Sequence, residues 1–205
     1  MKWYDFVAPL YDRAISRPYL PYRQVAVKEL HLQPCFTVMD IGCGTGLNFE
    51  LIHDLIGNEG TLIGIDSSAK MLNRALQKVH RNNWQNVLLL QLDTRQLTHN
   101  YLEAVTGRSI LVDSIICTLG FSVFPSWQDV FKKSFDLLKK GGRYCVMDIF
   151  NDNVTFRTRI VSILANSDNS RRVWEPLKAK CNNYLEERYP MMHGDIVVVA
   201  SGTKS

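Results

Sequence analysis

Five short apolar runs recur along the first 150 residues, each followed by a turn and an amphipathic stretch. This rhythm admits few architectures. The runs are Thr37–Ile41, Thr61–Ile65, Val87–Leu92, Ser109–Cys117 and Arg143–Ile149. Runs of this length, rich in Val, Ile and Leu, have the pattern of strands covered on both faces. The stretches between them supply crossover helices, so the alternation predicts a doubly wound α/β fold around a mostly parallel sheet. Helices are expected from about Leu20 to before Pro34, over Leu47–Ile56 ahead of Gly57, and over Ala69–His80 with Ser67 as cap. Ser126–Asp129 reads as a capping box for a helix that runs to Lys140 and stops at Gly141-Gly142. Beyond residue 150 the rhythm loosens. Val154–Ala165 reads as an amphipathic helix, with a short helix about Trp174–Cys181. Tyr184–Tyr189 and Asp195–Ala200, joined by Pro190–Gly194, read as an antiparallel hairpin, because a parallel pair needs a longer connection. The result is a Rossmann-like, seven-stranded sheet ending in a C-terminal antiparallel hairpin.

A chain of 205 residues suits one domain. No apolar run approaches the roughly 18 residues needed to span a bilayer. Met1-Lys2-Trp3-Tyr4-Asp5 lacks a signal-peptide core. The formal net charge is +4, with the basic residues scattered. That balance permits peripheral contact with an anionic membrane and disfavours nucleic acid, since no long basic run occurs. The cysteines (35, 43, 117, 145 and 181) are odd in number, widely spaced and without a C-x-x-C pair. The histidines (31, 53, 80, 99 and 193) show no ligand spacing. Neither a disulfide framework nor a metal site is expected, and a reduced, cytoplasmic setting is the default.

The chemistry is concentrated in Val38-Met39-Asp40-Ile41-Gly42-Cys43-Gly44-Thr45-Gly46-Leu47. An acid near a strand end precedes three alternating glycines and a helix start. Glycines allow positive φ and bring a ligand close to main chain, and the helix N-terminus offers free N–H groups. The spacing is G-x-G-x-G, not the G-x-G-x-x-G of the dinucleotide fingerprint. Asp66 closes the second strand, where an acid can accept from ribose hydroxyls. Asp93 follows the third.

This constellation, with Asp66-Ser-Ser-x-x-Met71, Asp93-Thr94 and Leu137-Leu138-Lys139-Lys140-Gly141-Gly142-Arg143, resembles the class I S-adenosylmethionine-dependent methyltransferases. It is most similar to a small branch acting on quinone precursors and phospholipid head groups. The resemblance is clear over about 35–150. It implies a cofactor-binding core there, with residues 1–34 as an N-terminal cap and helix and 151–205 as a helical segment and hairpin. It implies S-adenosyl-L-methionine as cofactor. Gly42, Cys43, Gly44, Thr45 and Gly46 would line its methionine part, with Asp40 beneath the loop. Asp66 would hold the ribose, Ser67 and Met71 would flank the adenine, and Asp93 with Thr94 would receive the adenine edge. Cys117 would offer its carbonyl, and Tyr11 would cover the cofactor.

Methyl transfer from a sulfonium mainly requires alignment and exclusion of water, and no catalytic residue is assigned. The acceptor is expected over the carboxyl ends of the strands, against Leu119, Phe121 and Phe150. After the fourth strand the chain reads Cys117-Thr118-Leu119-Gly120-Phe121, not the Asn/Asp-Pro-Pro-aromatic run of enzymes that methylate nucleic-acid bases. A small-molecule or lipid acceptor is expected, either a phospholipid amine or a quinone precursor. Arg157, Arg159 and Arg171-Arg172 would suit a phosphate head group. Two alternatives stand beside this reading: an NAD(P)-dependent oxidoreductase, and a non-catalytic member of the fold that binds the cofactor.

Overall fold

Strand β1 (Thr37–Ile41) lies inside a seven-stranded sheet whose order is β3-β2-β1-β4-β5-β7-β6. The computed structural model describes residues 18–107, 109–151, 167–191 and 194–205. The other strands are β2 (Thr61–Asp66), β3 (Val87–Gln91), β4 (Val112–Thr118), β5 (Leu138–Phe150), β6 (Cys181–Pro190) and β7 (Ile196–Lys204). The first five pair in parallel. Strand β7 runs against both β5 and β6 and lies between them, so among the described residues β6 is hydrogen-bonded to β7 alone.

Helices cover both faces, as alternation of buried side chains along each strand requires. On one face Val38, Leu62, Ile116 and Met147 pack with α1 (18–28), α2 (Phe49–Ile56) and α3 (Ala69–Arg81). On the other, Met39, Ile63, Ile115 and Val146 pack with α4 (His99–Thr106), α5 (Trp127–Leu137) and α6 (Glu175–Lys180).

Several boundaries differ from those expected. The cap of α3 is Ser68, whose hydroxyl accepts from the Met71 N–H at 3.3 Å, and not Ser67. Ser126 makes no side-chain cap, so the capping-box reading fails; the turn closes through its carbonyl. Helix α5 ends at Leu137 because Leu138 already pairs with Val112. The next pair is Ser114 with Arg143, so residues 139–142 form a bulge on β5. Gly141 has φ +76°, and a Cβ on Gly142 would lie 2.8 Å from the Asp113 carbonyl oxygen. Helix α4 occupies the crossover between β3 and β4, for which no helix bounds were expected. It is capped by the Thr98 hydroxyl and by Gly107 in the left-handed conformation. The expected helix Val154–Ala165 lies outside the described residues, as do Arg157, Arg159 and His193.

Candidate functional site

Between β1 and β4 the order of strand addition reverses, and in doubly wound sheets this switch opens a crevice beyond the carboxyl ends. The structure has a cleft of about 210 Å³ there, lined by Gly42, Gly44, Asp66, Ser67, Met71, Asp93, Thr94 and Leu119. These eight come from the sequence-derived set. The cleft is also lined by Gly120, Val123, Phe124 and Pro125 of the loop after β4, and by Ser68, Arg95, Ser126 and Val130, which sequence reasoning did not assign to it.

Asp66 organises the cleft. Its Oδ2 accepts from the Gly44 N–H at 2.9 Å and its Oδ1 from the Ser68 N–H at 2.8 Å. One carboxylate thus ties the glycine loop to the start of α3. Gly44 has φ +56°, and a Cβ there would meet nothing within 4 Å. Gly46 serves differently and does not line the cleft: a Cβ there would strike the Phe49 ring at 2.6 Å. Its carbonyl accepts from Lys78 Nζ at 2.7 Å, which braces the loop from α3.

Beneath the loop lies a buried polar network that no local motif announced. Asp40 is fully buried, and its Oδ2 accepts from Asn48 Nδ2 at 3.0 Å. Asn48 Nδ2 also donates to the Thr118 hydroxyl at 3.1 Å. Arg23, on α1, donates to Asn48 Oδ1 at 2.8 Å and to the Thr118 hydroxyl oxygen. Asp40 Oδ1 has no hydrogen-bond partner among the described residues. Burial pushes the Asp40 carboxyl up to about 7, against the opposing pull of Asn48 and Arg23. Cys43 and Thr45 are buried in the same region, and burial pushes the Cys43 thiol up.

Asp93 lines the cleft, yet its carboxylate is engaged by Arg95: Nε lies 2.9 and 3.1 Å from the two oxygens. That hydrogen bonding holds Asp93 below the usual carboxylate range. An adenine edge would therefore share Asp93 with Arg95. Met71 is 2% exposed and lines the cleft, so it serves both packing and the cleft wall.

Two expected acceptor contacts are corrected. Phe121 is fully buried, with its ring 5.8 Å from Phe124 and 6.2 Å from Trp127. Phe150 is 2% exposed and packs edge-on to Trp174 at 5.0 Å. Both are core side chains that do not line the cleft. The Cys117 side chain is likewise core, so only its main chain could serve a ligand. Tyr11 lies outside the described residues.

The loop after β4 is held from behind. Leu119, at φ +57°, donates its N–H to the Met147 carbonyl at 2.7 Å. The Ser122 N–H donates to Asp148 Oδ2 at 2.9 Å. Asp148 is buried, which raises its carboxyl.

A glycine loop tied to an acid at the end of β2, on a sheet whose last strand is reversed, places the chain among known proteins. A family profile described as a methyltransferase domain matches residues 33–193. The chain belongs to this family. The methyltransferase domain is 26% identical over 157 residues to a demethylmenaquinone methyltransferase of Listeria welshimeri, covering 75% of this chain and 63% of that protein. It therefore spans less than two thirds of the length of that relative. It is also 27% identical over 144 residues to a carboxy-S-adenosyl-L-methionine synthase of Trichodesmium erythraeum, covering 66% of this chain and 53% of the other. In fold it is similar to a phosphoethanolamine N-methyltransferase of Haemonchus contortus solved with S-adenosylhomocysteine. The TM-score is 0.72 at 13% identity, over 90% of this chain and 52% of that one.

Proposed function

We propose that this domain binds S-adenosylmethionine in the cleft between the glycine loop and the loop after β4, and passes its methyl group to a small-molecule or lipid acceptor. The observation that carries the reading is Asp66. Its carboxylate is fixed by two main-chain N–H groups beside the open face of Gly44, which suits a ribose diol. When bound, the cofactor supplies an electrophilic methyl on a sulfonium.

The protein's own share is alignment and dryness. Gly42 and Gly44 bring main chain to the ligand, and Leu119, Val123, Phe124 and Pro125 form an apolar wall that keeps water away. Such a wall favours a flat apolar acceptor of the quinone-precursor kind over a phospholipid amine. The name of the Listeria relative agrees with that choice. Membership of the family displaces the nicotinamide-dependent alternative. For a lipid acceptor, the domain would work in the cytoplasm in peripheral contact with the membrane. Failure to sediment with anionic vesicles would argue against that contact.

The test is titration calorimetry with S-adenosylhomocysteine. Binding in the micromolar range is expected. Asp66→Ala should weaken it by about 2–4 kcal/mol, the worth of a pair of hydrogen bonds to a charged group. An unchanged affinity in a folded Asp66→Ala protein would refute the site. Methyl transfer to a demethylated quinone separates an enzyme from a non-catalytic cofactor binder.

A further inference from the structure

The cleft, at about 210 Å³, is smaller than the ~300 Å³ at which small-molecule pockets ordinarily begin. One side chain accounts for the narrowing at the glycine-loop end. A Cβ built on Gly42 would lie 2.8 Å from Phe124 Cζ, and one on Gly120 would lie 3.2 Å from the same atom. The Phe124 ring thus rests on the main chain of both glycines, whereas Gly44 faces open space.

The ring is not loosely placed. Arg171 donates from one terminal nitrogen to the carbonyls of Phe121 and Phe124, at 3.1 and 2.7 Å. Its Nε donates to Asp168 Oδ2 at 3.0 Å, and the Asp168 N–H donates to the Ser122 carbonyl at 2.8 Å. Residues 168–171 therefore strap the outside of the loop whose inner side carries Phe124. A guanidinium suits this work because its donors sit in a fixed fork.

We infer that Phe124 is a gate over the glycine-loop end of the cleft and that Arg171 is the positioning residue that holds it shut. Ligand reaching the main chain at Gly42 must move the ring, and the Arg171 contacts fix the main chain that carries it. Association that waits on such a rearrangement is slower than association with an open pocket. The inference rests on the reading of this cleft as the cofactor site.

The experiment is surface plasmon resonance of the immobilised full chain with S-adenosylhomocysteine. Phe124→Ala should raise the association rate constant by ~10-fold, and Arg171→Ala by a similar factor. The double variant should be no faster than Phe124→Ala alone, because Arg171 acts through the ring. Arg171→Lys, which keeps a cationic donor, should fall between wild type and Arg171→Ala. If Arg171→Ala does not fold, Asp168→Asn loosens the same guanidinium and should also speed association. Unchanged association in Phe124→Ala overturns the gate. Multiplied effects in the double variant overturn the role of Arg171. If Asp66→Ala binds as tightly as wild type, the failure belongs to the cofactor site itself.

Discussion

Asp40 should make the stability of this domain depend on pH in a way that one substitution removes. The ordinary carboxyl value is 3.8, and burial pushes Asp40 to about 7. Between those values the folded chain holds a proton on Asp40 that the unfolded chain does not. The native state then binds more protons, so this group's contribution to stability falls as pH rises through that interval. At 1.36 kcal/mol per pH unit, the full cost above pH 7 is on the order of 4 kcal/mol. Asp40→Asn carries no charge to bury. Its side-chain oxygen can still accept from Asn48, while its NH2 would stand where Oδ1 now lacks a partner, at a cost of about 1–3 kcal/mol that does not change with pH. Urea unfolding of both proteins at pH 4.5, 6 and 8 isolates the effect, because Asp148, Asp93 and Asp168 titrate alike in both. The variant should gain about 2–4 kcal/mol on wild type between pH 4.5 and 8. A gap constant across that range would refute the assignment of a raised Asp40.

Other outcomes follow from the same geometry. Gly44→Val should abolish detectable S-adenosylhomocysteine binding by calorimetry, because its branches enter open cleft space. Its thermal midpoint should drop only modestly, since a non-glycine residue at φ +56° costs about 1–2 kcal/mol. Phe121→Ala should destabilise the domain by about 3–5 kcal/mol in chemical denaturation, as expected for a fully buried ring. A selective rise in the acceptor's Michaelis constant at unchanged stability would restore Phe121 to the acceptor site.

The sheet was legible because each buried strand is a short apolar run bounded by glycine, proline or a cap. The reversed last strand was legible from the short connection at Pro190–Gly194. Boundaries failed where tertiary pairing overrode local signals. Leu138-Lys139-Lys140 reads as helix, yet Leu138 finds Val112 across the sheet. Helix α4 carried a threonine cap and a terminal glycine, but it buries only Leu102, so its periodicity was faint. The glycine loop and Asp66 could be read because their spacing is local. The network of Arg23, Asn48, Thr118 and Asp40 could not: Arg23 lies 95 positions from Thr118, and nothing in the intervening sequence marks the pair. Aromatic content near a strand end did not reveal which side of the chain faced the cleft. Phe124 lines it, while Phe121, three positions earlier, turns into the core.

The placement of β7 sets an order of events when the chain is made. Strands β1 to β5 are all synthesised before it and can pair among themselves, leaving the outer edge of β5 bare. Strand β6 emerges next but has no place on that edge, because its hydrogen-bonded neighbour is β7. Until residues 196–204 leave the ribosome, β6 has no template and β5 presents an unpaired edge, the usual starting point for intermolecular association. The nascent protein is thus most exposed to aggregation over the interval between the completion of β5 and the arrival of β7.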